Sequence, residues 1–600
     1  MMTRTASPGA ARALLAAAGL PTRWAGADAF AVLELELGDG AVLLEALLAW
    51  HADPARCTRL HWATLSPRPP SHDALAAVLA HRELPAATAA ELLARWPPPT
   101  PGVHRIELDG GRVRIALAVG APRAMLPGWV PRADALLVPV PADAPPDAAV
   151  LRAAAACLVA DGVAGIAVAD PRAGSQAEAT LRALSAAGLR CEAIGAAAGA
   201  AGQAGEARAW CATRVRGRAA PEPAAPARDA LVVGGGLAGA ATAAALARRG
   251  WRVVRVDAGC EGSEAGSLQP VLAQHPSVSP DDAPLSRLTR AATLLARQVA
   301  GAAALRRIGR VQCEDDAIAA RAAGSLHADW VRAVDATEAS ALAGVRLRRG
   351  GLWLPLACSA DPRELLDAWT PEGVRTIEAR RVACVERHGA GWRALDPDGA
   401  TLAESPVAVL ACGAGDVAVR TAPGAAPRAL DALLGPAGLR RRAGTTTVAR
   451  AGPSARPRCI VGGDGHAVPL DAERVLLGPA GSPLDADDAP ARAWARWAAQ
   501  LVVPADVPPL APGRTGSRLS TRDHLPLAGT LFDPDTLEPL PGLLVHAALG
   551  GRGLLWATLC AELLAATLEH EPLPVERALA RRLAPERFAA RALRRPDTAG

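Results

Sequence analysis

Apolar and polar positions follow two successive patterns along the chain. In the first third, short apolar runs at Phe30–Leu35, Leu60–Leu65, Arg112–Leu117, Ala135–Val138 and Gly165–Val168 alternate with Ala/Leu-rich stretches such as Ala74–Ala80 and Asp147–Leu158. The alternation of short apolar runs with helical stretches predicts an α/β domain with a largely parallel sheet. Residues 214–228, RVRGRAAPEPAAPAR, lack apolar periodicity and carry three Pro, so they predict an extended linker between domains 1–213 and 229–600. Beyond it, Ala230–Val233 opens a second α/β unit. Irregular strand-like segments at about 305–395 and 420–512 interrupt this unit. They predict a nucleotide-binding layer, from parts near 229–304, 396–419 and 513–600, joined to a discontinuous α+β layer. No internal repeat is visible.

Six hundred residues suffice for at least two domains with large cores. All 65 basic residues are Arg; Lys, Asn and Tyr are absent, and Phe and Met number three each. This composition suggests G- and C-rich codons. A missing Lys or Tyr in a motif therefore means little, whereas a missing Gly or Asp needs another cause. The net charge of +5 permits an anionic partner without demanding one. Eleven scattered Cys without a CxxC pair or His/Cys cluster disfavour a disulfide framework and a metal site. The lack of an apolar run of about 18 residues predicts no membrane span and a soluble, cytoplasmic chain.

The strongest chemical signal begins at Asp229. DALVVGGGLAG supplies a short strand and then Gly234, Gly236 and Gly239 in GxGxxG spacing; an Ala-rich helix follows, and a second strand, Trp251–Val256, ends at Asp257. Glycines permit a tight turn and let a pyrophosphate approach the amino terminus of the helix, where unpaired N–H groups and the dipole favour an anion. Asp257 is placed to accept hydrogen bonds from a ribose diol. This fingerprint leaves NAD and FAD both open.

The carboxyl-terminal part narrows the choice to FAD. GSRLSTRDHLPLAG (Gly516–Gly529) and LVHAALGGRGLLWATLCAEL (Leu544–Leu563) resemble the closing half of the glycine oxidase and D-amino acid oxidase group of flavoproteins. With GLPTRW (Gly19–Trp24), RWPPPTPGVHR (Arg95–Arg105), AALGGRGL (Ala547–Leu554) and the basic end APERFAARALRR, nearly the whole chain resembles the bacterial bifunctional tRNA 5-methylaminomethyl-2-thiouridine biosynthesis family. The resemblance implies an amino-terminal Rossmann-like S-adenosylmethionine methyltransferase domain fused to an FAD-dependent oxidoreductase with a discontinuous substrate domain. In that family the oxidoreductase removes the carboxymethyl group from the side chain of a wobble uridine, and the methyltransferase methylates the freed amine.

By resemblance, Gly234, Gly236, Gly239 and Asp257 hold the adenosine diphosphate of FAD. Ser263 and Gly266, in GSEAGSLQP, belong to the loop approaching the flavin, and Gly413, in LACGAG, to a later strand end that closes over it. Gly550, Arg552 and Gly553 open a helix aimed at the pyrimidine ring, where positive potential stabilises the anionic reduced flavin. Arg518 matches the arginine that clamps a substrate carboxylate, its fork suiting that group bidentately; a structural ion pair is the alternative. His466, in GGDGH, stands where the family favours an aromatic residue and is expected to be a packing substitute. No general base is expected, since amine oxidation can rest on positioning.

The first domain departs from the family where methyl transfer needs it. The Gly-rich E-x-G-x-G-x-G loop becomes ELELGDG, with Glu36 at the first Gly and only Gly38 and Gly40 kept. The acidic residue after the second strand is replaced near Ser66, the Asp after Gly120 is Ala121, and the active-site D-G-F becomes Pro139, Val140 and Pro141, with Asp143 nearby. Codon bias does not explain the loss of Gly and Asp. The domain is therefore expected to keep its fold as a scaffold or tRNA platform while losing S-adenosylmethionine. Arg577–Arg595 carries seven Arg against one Glu and is a candidate phosphate-binding helix, with a solvated helix face as the alternative. A small-molecule amine oxidase, a fully bifunctional enzyme and a noncatalytic tRNA-binding protein remain the competing readings.

Overall fold

The computed structural model describes residues 8–168, 173–194, 208–216, 228–259, 266–300, 304–413, 415–422, 424–434, 438–479, 489–503 and 506–588. The chain divides into two compact units, residues 1–224 with 566–577, and residues 225–565 with 578–600. The predicted linker lies mostly outside the described residues.

The first unit is built on eight strands: β1 (Ala29–Glu34), β2 (Arg59–Ser66), β3 (Gly102–Leu108), β4 (Val113–Val119), β5 (Ala133–Val140), β6 (Leu158–Val168), β7 (Leu189–Ala193) and β8 (Arg208–Arg214). Their order is β3-β4-β2-β1-β5-β6-β8-β7. The stretch from β4 to β6 is parallel, and β3, β8 and β7 extend it antiparallel. Successive side chains enter different cores: Val32, Trp62 and Leu137 pack on one face, Leu33, Ala63 and Leu136 on the other. Burial on both sides is why these strands read as unbroken apolar runs.

Residues 566–577, which the sequence pattern places in the second domain, belong to this unit. They bring in Glu571, whose carboxylate accepts hydrogen bonds from Arg105 (3.1 Å) and Arg114 (3.2 Å) and lies 3.5 Å from His61. All four side chains are buried. Burial drives the His61 imidazole down to about 3, more than the Glu571 charge raises it. Removing one partner strands buried guanidinium charge, so Glu571→Ala is expected to cost about 3–5 kcal/mol. A lowered urea midpoint at an unchanged m-value checks this.

In the second unit, β9 (Asp229–Val233) lies between β10 (Arg252–Val256) and the strand Val407–Leu410, parallel to both. Val374–Ile377 flanks β10; Pro539–Ala547 and Leu527–Phe532 complete six strands on the other side. The helix Leu237–Ala247 is buried from Leu237 to Leu246, which its alanines make sterically feasible. A separate eight-stranded mixed sheet runs in the order 332–334, 351–354, 310–313, 460–462, 465–469, 474–479, 440–450, 510–520. Two segments differ from their expected layer. Val374–Ile377 joins the nucleotide-binding sheet, whereas Leu510–Ser520 pairs with Arg440–Arg450 in the other sheet. These pairings join segments far apart in sequence, which local periodicity does not encode.

Candidate active site

The carboxyl ends of β9, β10 and Val407–Leu410 converge on a crevice of about 530 Å³. Such an edge, where neighbouring strands diverge from a central one, is where open α/β sheets bind ligands. Gly234 has φ of +111°, and a Cβ there would meet the Ala411 carbonyl oxygen at 2.5 Å. A Cβ on Gly239 would lie 1.8 Å from the Gly234 carbonyl oxygen, so helix and strand pack backbone to backbone. Gly236, the residue preceding the helix, would crowd Ser267 Oγ at 2.9 Å.

Two details were not anticipated from the glycine spacing. Gly235 donates its N–H to Asp257 Oδ1 at 3.1 Å, and a Cβ on Gly235 would collide with that carboxylate at 2.5 Å. Asp257 is thereby fixed at the end of its strand. Ser267 accepts the Leu237 N–H at 3.1 Å, occupying one of the free donors at the start of the helix. Ser263, expected in the loop that approaches the flavin, lies outside the described residues. Gly266, Gly413, Gly550 and Gly553 line the crevice, with Gly413 and Gly550 at φ of +59° and +55°.

A second cavity of about 440 Å³ shares Leu237, Gly266, Arg518, Gly550 and Gly553 with the crevice. Arg552 lines this cavity, as do Arg442, His466, His524, Thr445 and Gln269, and among the described residues no Asp or Glu lines it. Arg518 thus stands where the two spaces meet, its guanidinium close to Gly551. The helix Gly553–Leu568 begins at both spaces, so its positive end faces them. His466 belongs to the wall of the cavity rather than to packing alone. Its ring lies against Gly478, and burial lowers its imidazole to about 4, helped by Arg310 and Arg518. The same burial brings the Arg310 guanidinium down to about 10.

The TRDHLP motif is a scaffold for this wall. The Thr521 hydroxyl lies 2.8 Å from Asp523 Oδ1 and 2.6 Å from the Leu525 carbonyl, and Asp523 also accepts the Leu525 N–H. This holds His524 at φ of +60°, a region costly for a side-chain-bearing residue. Arg587 completes the turn, donating to both Asp523 oxygens and to the Leu525 carbonyl. Half-buried and paired, Arg587 is a structural residue, which corrects its inclusion in a phosphate-binding helix; the helix beginning at Arg577 ends at Arg581.

The glycine cradle and the carboxylate held beside it fit the adenosine end of a dinucleotide, and the adjoining cationic cavity fits a flavin facing an anionic substrate. The model of the FAD dependent oxidoreductase family matches residues 229–567. The second unit is therefore an FAD-dependent oxidoreductase, an enzyme of the class that acts on C–N bonds. The chain is 36% identical over 635 residues to the tRNA 5-methylaminomethyl-2-thiouridine biosynthesis bifunctional protein MnmC of Burkholderia multivorans, covering 96% of this chain and 92% of that one. It is also 36% identical to the protein of the same name from Aromatoleum aromaticum, over 97% of this chain and 93% of that one. The chain belongs to this bifunctional tRNA-modification family. Among solved structures, glycine oxidase from Geobacillus kaustophilus is 22% identical, with a TM-score of 0.45 over 57% of this chain and 95% of that one.

Among the described residues, no helix is long and apolar enough to cross a membrane, and no group of three or more His, Cys, Asp or Glu is arranged to hold a metal ion.

Proposed function

We propose that the second unit removes the carboxymethyl group from 5-carboxymethylaminomethyl-(2-thio)uridine at the wobble position of tRNA, in the cytoplasm. The observation that carries this reading is Arg518 at the junction of the glycine-lined crevice and a cavity also lined by Arg442 and Arg552. A glycine-like carboxylate on the Arg518 fork sets the adjacent CH₂ at the boundary between the spaces. Bound in the crevice, FAD supplies the acceptor for two electrons. The secondary amine loses hydride from that CH₂ and a proton from nitrogen; water adds to the resulting C=N bond and releases glyoxylate, leaving the aminomethyl group on the uridine. Around the reacting carbon the chain offers neutral His466 and the dipole of the Gly553–Leu568 helix, so it acts by orientation and positive potential. Nucleoside analysis of tRNA from a deletion strain tests the reading. Accumulated carboxymethylaminomethyl nucleoside supports it, and an unchanged profile favours a small-molecule amine oxidase.

The first unit keeps the methyltransferase-type sheet but, in this reading, has given up S-adenosylmethionine. Glu34, at the end of β1, is buried and accepts the Trp62 indole N–H at 2.9 Å; burial pushes its carboxyl up to about 7. Desolvation and the charge of Asp143 raise the Glu36 carboxyl, so two acids adjoin where the glycine loop is broken. Pro139 and Val140 are strand residues of β5, paired with Ala167 and Val168. Titration with labelled S-adenosylmethionine is expected to show no saturable micromolar binding; such binding, with methyl transfer to aminomethyluridine tRNA, would refute the loss.

A further inference from the structure

The substrate cavity holds more positive charge than one carboxylate uses. In the antiparallel pair formed by Arg440–Arg450 and Leu510–Ser520, Arg442 is directly opposite Arg518. Both side chains line the cavity, both residues are exposed, and neither meets a carboxylate in a described ion pair. Like charges directly opposite across strands are destabilising, so this arrangement calls for anions. Cross-strand Cα atoms are about 5 Å apart, and two arginine side chains starting there can diverge to hold separate groups. Their positions differ in a telling way. Among the described residues, Arg518 lines both the crevice and the cavity, whereas Arg442 lines the cavity and not the crevice. Arg440, two residues before Arg442 on the same face of the strand, is also exposed.

We propose that Arg442 is a specificity residue that grips a backbone phosphate of the polynucleotide while Arg518 holds the carboxylate of the same substrate. This inference rests on the tRNA reading above. It makes the enzyme prefer a glycine unit carried on a nucleic acid over a free one, by requiring two anions at once. A guanidinium fork matches phosphate as well as it matches carboxylate.

The test uses the full-length holoenzyme and its Arg442→Ala and Arg442→Lys variants. Two substrates are compared, tRNA bearing 5-carboxymethylaminomethyluridine and the free nucleoside, which has no phosphate. For Arg442→Ala, the ratio of kcat/KM on tRNA to kcat/KM on nucleoside is expected to fall about 10- to 100-fold, the worth of a charge-assisted contact. Arg442→Lys is expected to recover part of it. Independently of turnover, the log–log salt slope of tRNA binding is expected to shallow by about 0.7–0.9, one phosphate contact. Equal losses on both substrates would assign Arg442 to the carboxylate and overturn the proposal, as would an unchanged ratio or slope. Failure of the underlying reading is recognised separately: wild-type enzyme would then oxidise sarcosine yet leave the tRNA nucleoside intact.

Discussion

Gly239→Ala is expected to yield a protein that no longer retains FAD. The new methyl group would sit 1.8 Å from the Gly234 carbonyl oxygen, a backbone atom that cannot rotate away. The helix Leu237–Ala247 must therefore lift off β9, moving the N–H groups at its start away from the pyrophosphate position. Flavin absorbance per mole of purified protein reads the effect. Because the helix is buried, a fold-sparing companion is needed. Asp257→Ala removes a carboxylate at the crevice edge without introducing a clash, and is expected to weaken FAD about 10- to 100-fold, as loss of charged hydrogen bonds does. Retention of a full flavin complement by both variants would refute the cradle.

The second large effect concerns substrate. Arg518→Ala is expected to lower kcat/KM about 100- to 1000-fold, since two charge-assisted hydrogen bonds and the alignment they impose disappear together. Arg518→Lys restores charge without the fork, so it should recover only part of the loss. Flavin content must be measured alongside, because Arg518 also borders the crevice. A variant with normal flavin and normal kcat/KM would make Arg518 a structural residue only.

The glycine-lined crevice was legible in the sequence because its geometry is local. The glycine turn, the helix behind it and Asp257 fall within thirty residues, and steric need dictates each glycine. Even so, Gly235 and Ser267 escaped notice, the first as a variable position in the motif and the second beside a more prominent serine. The rest is non-local. Arg442 faces the cavity because of its register with Arg518, a pairing no periodicity predicts. Glu571 completes a buried charge cluster with residues more than 450 positions earlier. Arg587 looked like part of a cationic tail, since an Arg-only chain hides which basic residues are pinned; its pairing with Asp523 shows the difference. His466 looked like filler because its surroundings come from three strands and Arg310.

The most direct test mixes purified, oxidised holoprotein anaerobically with tRNA bearing 5-carboxymethylaminomethyluridine. The account predicts bleaching of the flavin absorbance and, in the recovered tRNA, one aminomethyl nucleoside for each flavin reduced. A flavin that stays oxidised beside an unchanged nucleoside would contradict it.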